Sequence, residues 1–99
     1  MRIFSKGTLR TFWEEHPDAR ASLEFWYDTV DKTSFANPNE VIQFFNGADM
    51  VGNGRVVFNI ARNKYRLVVK FEYERQFAFV RFIDTQRLFR FLFHGFSGT

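Results

Sequence analysis

Basic side chains are concentrated in the segment Gly52–Arg81, which also has the alternating pattern of β-strands. Its cations are Arg55, Arg62, Lys64, Arg66, Lys70, Arg75 and Arg81. A guanidinium on a rigid strand binds phosphate oxygens through two parallel hydrogen bonds. The same group can stabilise the extra negative charge of a phosphorane during RNA cleavage. A basic sheet in so small a protein is therefore typical of a phosphate-binding surface.

The two faces of the predicted central strand decide which cations act together. Alternation over Tyr65–Tyr73 places aromatic and aliphatic residues on one face and places Arg66 and Lys70 on the other. The same count puts Lys64 on the basic face and Arg81 on the next strand. A face that is merely solvated is the simpler interpretation of these charges alone. Their excess over nearby acidic residues, on one element, favours phosphate binding.

Composition bounds the class of protein. The chain has 99 residues, which predicts one domain over residues 1–99 with a single core. It has no cysteine and two histidines, His16 and His94, so disulfides and thiol catalysis are excluded and neither a metal nor a cofactor is expected. The net charge is +3. We expect no membrane span and no signal peptide, and hence a cytoplasmic protein.

The elements that position the cations follow from a change in hydrophobic period, from helical spacing in the first half to alternation in the second. The predicted elements are a strand at Arg2–Phe4, a helix capped by Ser5, a second helix after His16-Pro17, a third after Asn37-Pro38, and strands at Arg55–Ile60, Tyr65–Tyr73 and Phe77–Ile83. This order indicates an α+β fold with a short N-terminal strand and a two-helix hairpin packed on one face of an antiparallel β-sheet meander.

Two motifs in this chain resemble a known family. They are FW-x-x-HPDA, within Leu9–Val30, and FNI-x-x-NKYRLVV, which begins the basic segment. From about Arg2 to Ile83 the chain is similar to HigB-type toxins of bacterial type II toxin–antitoxin systems, in the RelE-like superfamily. The resemblance implies a RelE-like fold and a metal-independent endoribonuclease that cuts mRNA on the ribosome (an mRNA interferase). It also implies a HigA-like helix-turn-helix antitoxin as partner, with DNA contacted only through that complex.

The resemblance assigns roles to individual residues. Arg66 is expected to stabilise charge at the scissile phosphate, with Arg81 in support. Gln86 occupies the position of the family's histidine, and a glutamine cannot take up and deliver a proton near neutral pH. Arg87 and Arg90 could replace that histidine electrostatically. The residues expected to bind RNA are Lys64, Lys70, Arg62, Arg87 and Asn59.

The segment 85–99 departs from the family pattern and ends in an apolar, basic run, RLFRFLFHGFSGT. Three interpretations stay open: an extra strand or short helix that closes the core, an apolar patch covered by the antitoxin, or a non-native end from a shifted reading frame. We interpret His94 as a solvated residue.

Two other functions compete with RNA cleavage. The first is a catalytically weak relative that binds RNA or its antitoxin without cutting, and Gln86 supports it. The second is a sister toxin that acts on another target such as a topoisomerase, because one fold can host several activities. The density of cations on the strands favours RNA.

Overall fold

The structure is a computed structural model that describes residues 1–93. In chain order the elements are β1 (Arg2–Phe4), α1 (Lys6–Glu15), a 3₁₀ turn (Pro17–Ala19), α2 (Arg20–Lys32), α3 (Pro38–Phe44), β2 (Asp49–Val51), β3 (Arg55–Ile60), β4 (Tyr65–Glu72), β5 (Phe77–Thr85) and α4 (Gln86–Leu92). The predicted α+β class is confirmed.

The strands form one five-stranded sheet in the order β1-β5-β4-β3-β2. Strands β2 to β5 are the antiparallel meander predicted from the alternation. The edge strand β1 pairs with β5 in parallel, so the whole sheet is mixed. Its parallel direction follows from the helices, which carry the chain away from β1 before the meander begins. Strand β2 was absent from the predicted elements.

The helix boundaries depend on local backbone chemistry. His16 ends α1, and Pro17 begins the 3₁₀ turn, as the sequence predicts. The Asn37 side chain accepts a hydrogen bond from the Glu40 N–H at 3.1 Å and caps α3. The cap predicted at Ser5 is wrong in its chemistry. Ser5 precedes α1, but it has φ of 80° and its side chain makes no capping hydrogen bond.

The main core lies between the sheet and helices α1 and α2. Leu9 and Trp26 come from the two helices and are almost completely buried. Alternate residues of the central strands complete this first face, and they include Phe58, Leu67 and Val69. The alternation predicted for these strands is therefore confirmed on this face.

A second, smaller core lies on the opposite face of the sheet. Phe89 of α4 packs with Val57 and Val68, and Phe82 and Phe93 border them. The predicted helical hairpin packs on one face, and α4 additionally covers part of the other. Of the three interpretations of the tail, a short helix that closes a core describes residues 86–92. Residues 94–99, which include His94, lie outside the described residues.

Candidate nucleic-acid interface

Arg66 lies on the second face, in a cross-strand row with Asn59 of β3 and Asp84 of β5. Its side chain is half-buried. Its Nη1 donates to the carbonyl oxygens of Asn63 at 3.1 Å and Tyr65 at 3.3 Å. Within residues 1–93 the guanidinium forms no ion pair with a carboxylate. Its position is thus set by neutral carbonyls, and its charge stays available to an anion.

The charge of Arg90 acts on this same guanidinium. The pKa of Arg66 is lowered, first by burial and then by repulsion from Arg90, while the Asp49 carboxylate opposes both effects. Arg90 lies on α4, so that helix brings a second cation towards the strand residue predicted to act at the scissile phosphate. An anion bound at Arg66 would be attracted by the charge of Arg90 as well, because the two cations act on the same position.

Lys64 lies elsewhere than predicted. Its Nζ forms an ion pair with Asp18 of the 3₁₀ turn, on the side of the helices rather than on the basic face. Parity counting fails because the preceding turn is not extended: Ala61, Arg62 and Asn63 have φ of 53°, 56° and 72°. Arg62 is exposed in that turn.

Asp18 also binds Tyr65. The Tyr65 hydroxyl donates to Oδ1 of Asp18 at 2.6 Å, while Oδ2 accepts from Lys64. The hydrogen bond from Lys64, followed by that from Tyr65, lowers the pKa of Asp18. Tyr65 is buried, as its alternation predicts. Through Asp18, the HPDA motif thus holds the start of β4. The sequence shows this motif, but its contact with Lys64 and Tyr65 was not predicted.

Gln86 is the first residue of α4, and its N–H donates to the Lys64 carbonyl at 2.8 Å. Thr85 caps the start of the helix, because its Oγ1 accepts a hydrogen bond from the Leu88 N–H at 3.1 Å. The structure therefore brings Gln86 next to Lys64, which precedes β4 and lies two residues before Arg66 in the chain. Arg87 is exposed on the first turn of the same helix.

Helix α4 divides the predicted basic face. Phe89 covers the row that contains Val68, which lies between Arg66 and Lys70 on β4. Lys70 lies in the next row along the strand, beyond this contact. Arg81 is the extra residue of a β-bulge, since Val68 and Val69 pair with Phe82 and Val80. The single basic face that the alternation predicts is therefore split into two.

Asn59 supports the backbone near this site. Its Nδ2 donates to the Gly47 carbonyl at 3.1 Å. Gly47 has φ of 84°, and a Cβ added there would lie 2.8 Å from the same nitrogen. Asn59 was expected to bind RNA; its side chain instead bonds to the backbone and holds the loop before β2 against β3.

Among residues 1–93 no group of three or more His, Cys, Asp or Glu side chains is placed to hold a metal ion. In that same part of the chain, no helix has the length and apolar character needed to span a bilayer.

A five-stranded mixed sheet with helices packed on it is consistent with the fold of the RelE-like class of small toxins. A family model for HigB_toxin, the RelE-like toxic component of a toxin-antitoxin system, matches residues 19–87. The chain belongs to this family, and a toxin of such a system has an antitoxin as its partner. The match extends from the start of α2 to the first turn of α4. No curated protein matches the chain.

Proposed function

We propose that this toxin is a ribosome-dependent mRNA endoribonuclease that acts in the cytoplasm. The observation that carries the proposal is the guanidinium of Arg66, which is half-buried on the second face, held by neutral carbonyls and free of any carboxylate partner within residues 1–93. A guanidinium that forms no ion pair with a carboxylate favours a ligand that gains negative charge as it reacts, and a cleaved phosphodiester is such a ligand.

In this proposal the 2′-hydroxyl of one nucleotide attacks the adjacent phosphorus. The bond from phosphorus to the 5′-oxygen breaks, which leaves a 2′,3′-cyclic phosphate and a 5′-hydroxyl. Arg66 stabilises the phosphorane charge, and Arg90 adds to the positive potential. Water takes the proton from the 2′-hydroxyl and supplies one to the leaving oxygen, because the Gln86 amide cannot exchange a proton near neutral pH.

The other predicted RNA-binding residues receive different roles in this proposal. Arg87, beside Gln86, and Arg62, in the turn before β4, are both exposed and bind backbone phosphates. Lys64 binds RNA only after it exchanges Asp18 for a phosphate. That exchange costs little, because both groups are exposed and water and salt screen their attraction. The antitoxin is proposed to be a HigA-like helix-turn-helix protein.

Gln86 favours a second candidate function, in which the protein binds RNA but cuts it poorly. General acid–base catalysis contributes about a hundred- to ten-thousand-fold in rate. Gln86 cannot supply it. Binding through Arg66 and Arg90 does not need a proton to move, so it would persist when cleavage is slow.

The test is a reconstituted bacterial translation reaction in which new 5′ ends on the message are mapped with and without ribosomes. The proposal expects cuts only on translated message, and their loss in Arg66→Ala. Arg10→Ala removes an exposed cation of α1 and is the matched control. The thermal unfolding temperature of both variants is measured alongside. Intact message with the wild-type protein, combined with binding to ribosomes, would establish the second candidate instead.

A further inference from the structure

The part of the second face that α4 leaves uncovered carries a cluster of aromatic rings. Phe4 of β1 and Phe79 of β5 are register partners, and their rings stack at 4.9 Å with 13° between the planes. Phe77 meets Phe4 edge-on at 5.1 Å. All three rings are half-buried, and none belongs to either core cluster. They face away from α1 and α2, because the residues between them, Ile3 and Ala78, pack into the main core.

Each ring of this cluster has an arginine beside it. The Arg2 guanidinium lies 5.1 Å from the Phe4 centroid, and that of Arg81 lies 5.4 Å from the Phe79 centroid. Arg75 lies 5.9 Å from Phe77. The three arginines are exposed. We call these six residues the aromatic-basic surface: Arg2, Phe4, Arg75, Phe77, Phe79 and Arg81.

The sheet register extends the positive charge beyond the rings. A cross-strand row runs from Arg55 of β3 through Lys70 of β4 to Phe79 and Phe4. The Nε of Arg55 is buried and has no hydrogen-bond partner within residues 1–93. The nearby carboxylate of Glu72 forms an ion pair with Arg75, with 3.5 Å between Oε1 of Glu72 and Nε of Arg75. Positive charge therefore exceeds negative charge over this part of the sheet.

We infer that the aromatic-basic surface binds single-stranded RNA, with bases stacked on Phe79 and its neighbours and phosphates held by Arg81, Arg75 and Lys70. Rings and guanidinium planes on an open sheet face are the combination that unpaired bases and a phosphate backbone require. The excess positive charge of the surface favours RNA over an apolar peptide that carries few acidic residues. The inference rests on the proposed function, because it assumes that RNA is the substrate.

This surface is distinct from the site at Arg66. Arg66 and Lys70 are four residues apart on β4, or about 13 Å at the rise of a strand. The contact between Phe89 and Val68 lies between them. The aromatic-basic surface therefore holds a flanking stretch of message rather than the scissile phosphate. The bulge that moves Arg81 out of the regular alternation places its guanidinium beside Phe79.

The experiment measures binding of the full chain to two labelled oligomers of equal length, an oligoadenylate and an abasic ribose-phosphate oligomer, over a range of salt. Phe79→Leu keeps an apolar side chain but removes the stacking plane. The wild-type protein should bind the oligoadenylate at least about fivefold more tightly than the abasic oligomer, and Phe79→Leu should lose that preference. Phe25→Leu removes an exposed ring of α2 and should keep the preference for the oligoadenylate.

Arg81→Gln tests the phosphate contact. It should lower the slope of log affinity against log salt by about 0.7 and leave the preference for bases intact. Arg10→Gln is its control and should change neither quantity. An unchanged preference in Phe79→Leu together with an unchanged slope in Arg81→Gln would overturn the inference. So would variants that lose antitoxin binding while RNA affinity stays at the wild-type value.

Failure of this inference can be told from failure of the proposed function. Both oligomers are bound without ribosomes and without cleavage, so these affinities do not depend on catalysis. Cuts on translated message with wild-type RNA affinity in Phe79→Leu and Arg81→Gln would keep the proposed function and reject the surface. If the wild-type protein never cuts and these variants still lose RNA binding, the surface is kept and the proposed function is rejected.

Discussion

Phe89→Ala should detach α4 from the sheet while the main core stays folded. Helix α4 has seven residues, and an isolated helix shorter than about 12 residues is marginal in water. Its stability therefore depends on packing. Phe89 is 6% exposed, and its ring lies 4.7 Å from that of Phe93 and 6.1 Å from that of Phe82. The second core to which it belongs is separate from the cluster beneath α1 and α2.

The magnitude follows from that burial. Burying a phenylalanine contributes about 1.5–3 kcal/mol, and full truncation in a core costs about 3–5 kcal/mol. We expect about 2–3 kcal/mol here, because the site lies at the edge of a small cluster whose neighbours can close over the gap. This loss should lower the protection of α4 amides against hydrogen exchange by about 30- to 160-fold. The Gln86 N–H, bonded to the Lys64 carbonyl, is the best reporter.

The assay is native-state hydrogen exchange read by mass spectrometry or NMR, with Phe25→Ala as control because that ring is 64% exposed. Amides in β3 and β4 should keep wild-type protection. Cleavage of translated message should also fall, because Arg90 leaves the neighbourhood of Arg66. Unchanged α4 protection would refute the reasoning. An equal loss of protection in every element would refute it too, since α4 would then be part of the global folding unit.

Three further changes test single contacts. Asp18→Asn removes the ion pair with Lys64. The pKa of Asp18 is depressed below its ordinary 3.8, so the pair's contribution is present above that pH and is lost on acidification. The wild type should be the more stable at neutral pH, and the two should converge in acid; Asp28→Asn, on exposed α2 surface, should not show this pattern. Tyr73→Phe should raise the free energy of unfolding by about 1 kcal/mol, because the buried Tyr73 hydroxyl has no hydrogen-bond partner within residues 1–93. Burial also raises the pKa of Tyr73 to about 12 from 10.0, so the wild type should lose stability between these pH values and Tyr73→Phe should lose less. Denaturant midpoints that are equal for the wild type and Tyr73→Phe, at neutral and at alkaline pH, would contradict both statements. Gln86→His should increase the rate of message cleavage, and an unchanged rate would mean that position 86 does not transfer protons.

Short sequence patterns predict most of the helices and strands, because each pattern acts on the backbone within a few residues. Pro17 excludes a continuous helix, and Asn37 supplies a side-chain acceptor at a helix start. Alternation in β3 and β4 reflects a sheet face that must be buried, and the core confirms it at Phe58 and Leu67. Strand β2 gave no such signal, because it has three residues at the edge of the sheet and its Met50 is 56% exposed.

The candidate site is harder to predict because parity counting assumes extended backbone throughout. The left-handed turn before Lys64 and the bulge at Arg81 each break that assumption. Lys64 leaves the face assigned to it, and Arg81 lies beside Phe79 although it is outside the regular alternation. Helix α4 is a second obstacle. Phe89, Phe91 and Phe93 alternate as in a strand, yet Phe89 and Phe93 pack together as i, i+4 neighbours of a helix. Tertiary packing on Val68 decided between the two periods.

The parallel pairing of β1 with β5 has a consequence for the timing of folding. The partners Phe4 and Phe79 lie near opposite ends of the chain, so their contact closes a very long loop and is entropically costly until the intervening elements are in place. During synthesis β1 leaves the ribosome first and has no strand to pair with until β5 follows. The sheet, and any activity that needs its outer edge, can therefore be completed only after β5 has been synthesised.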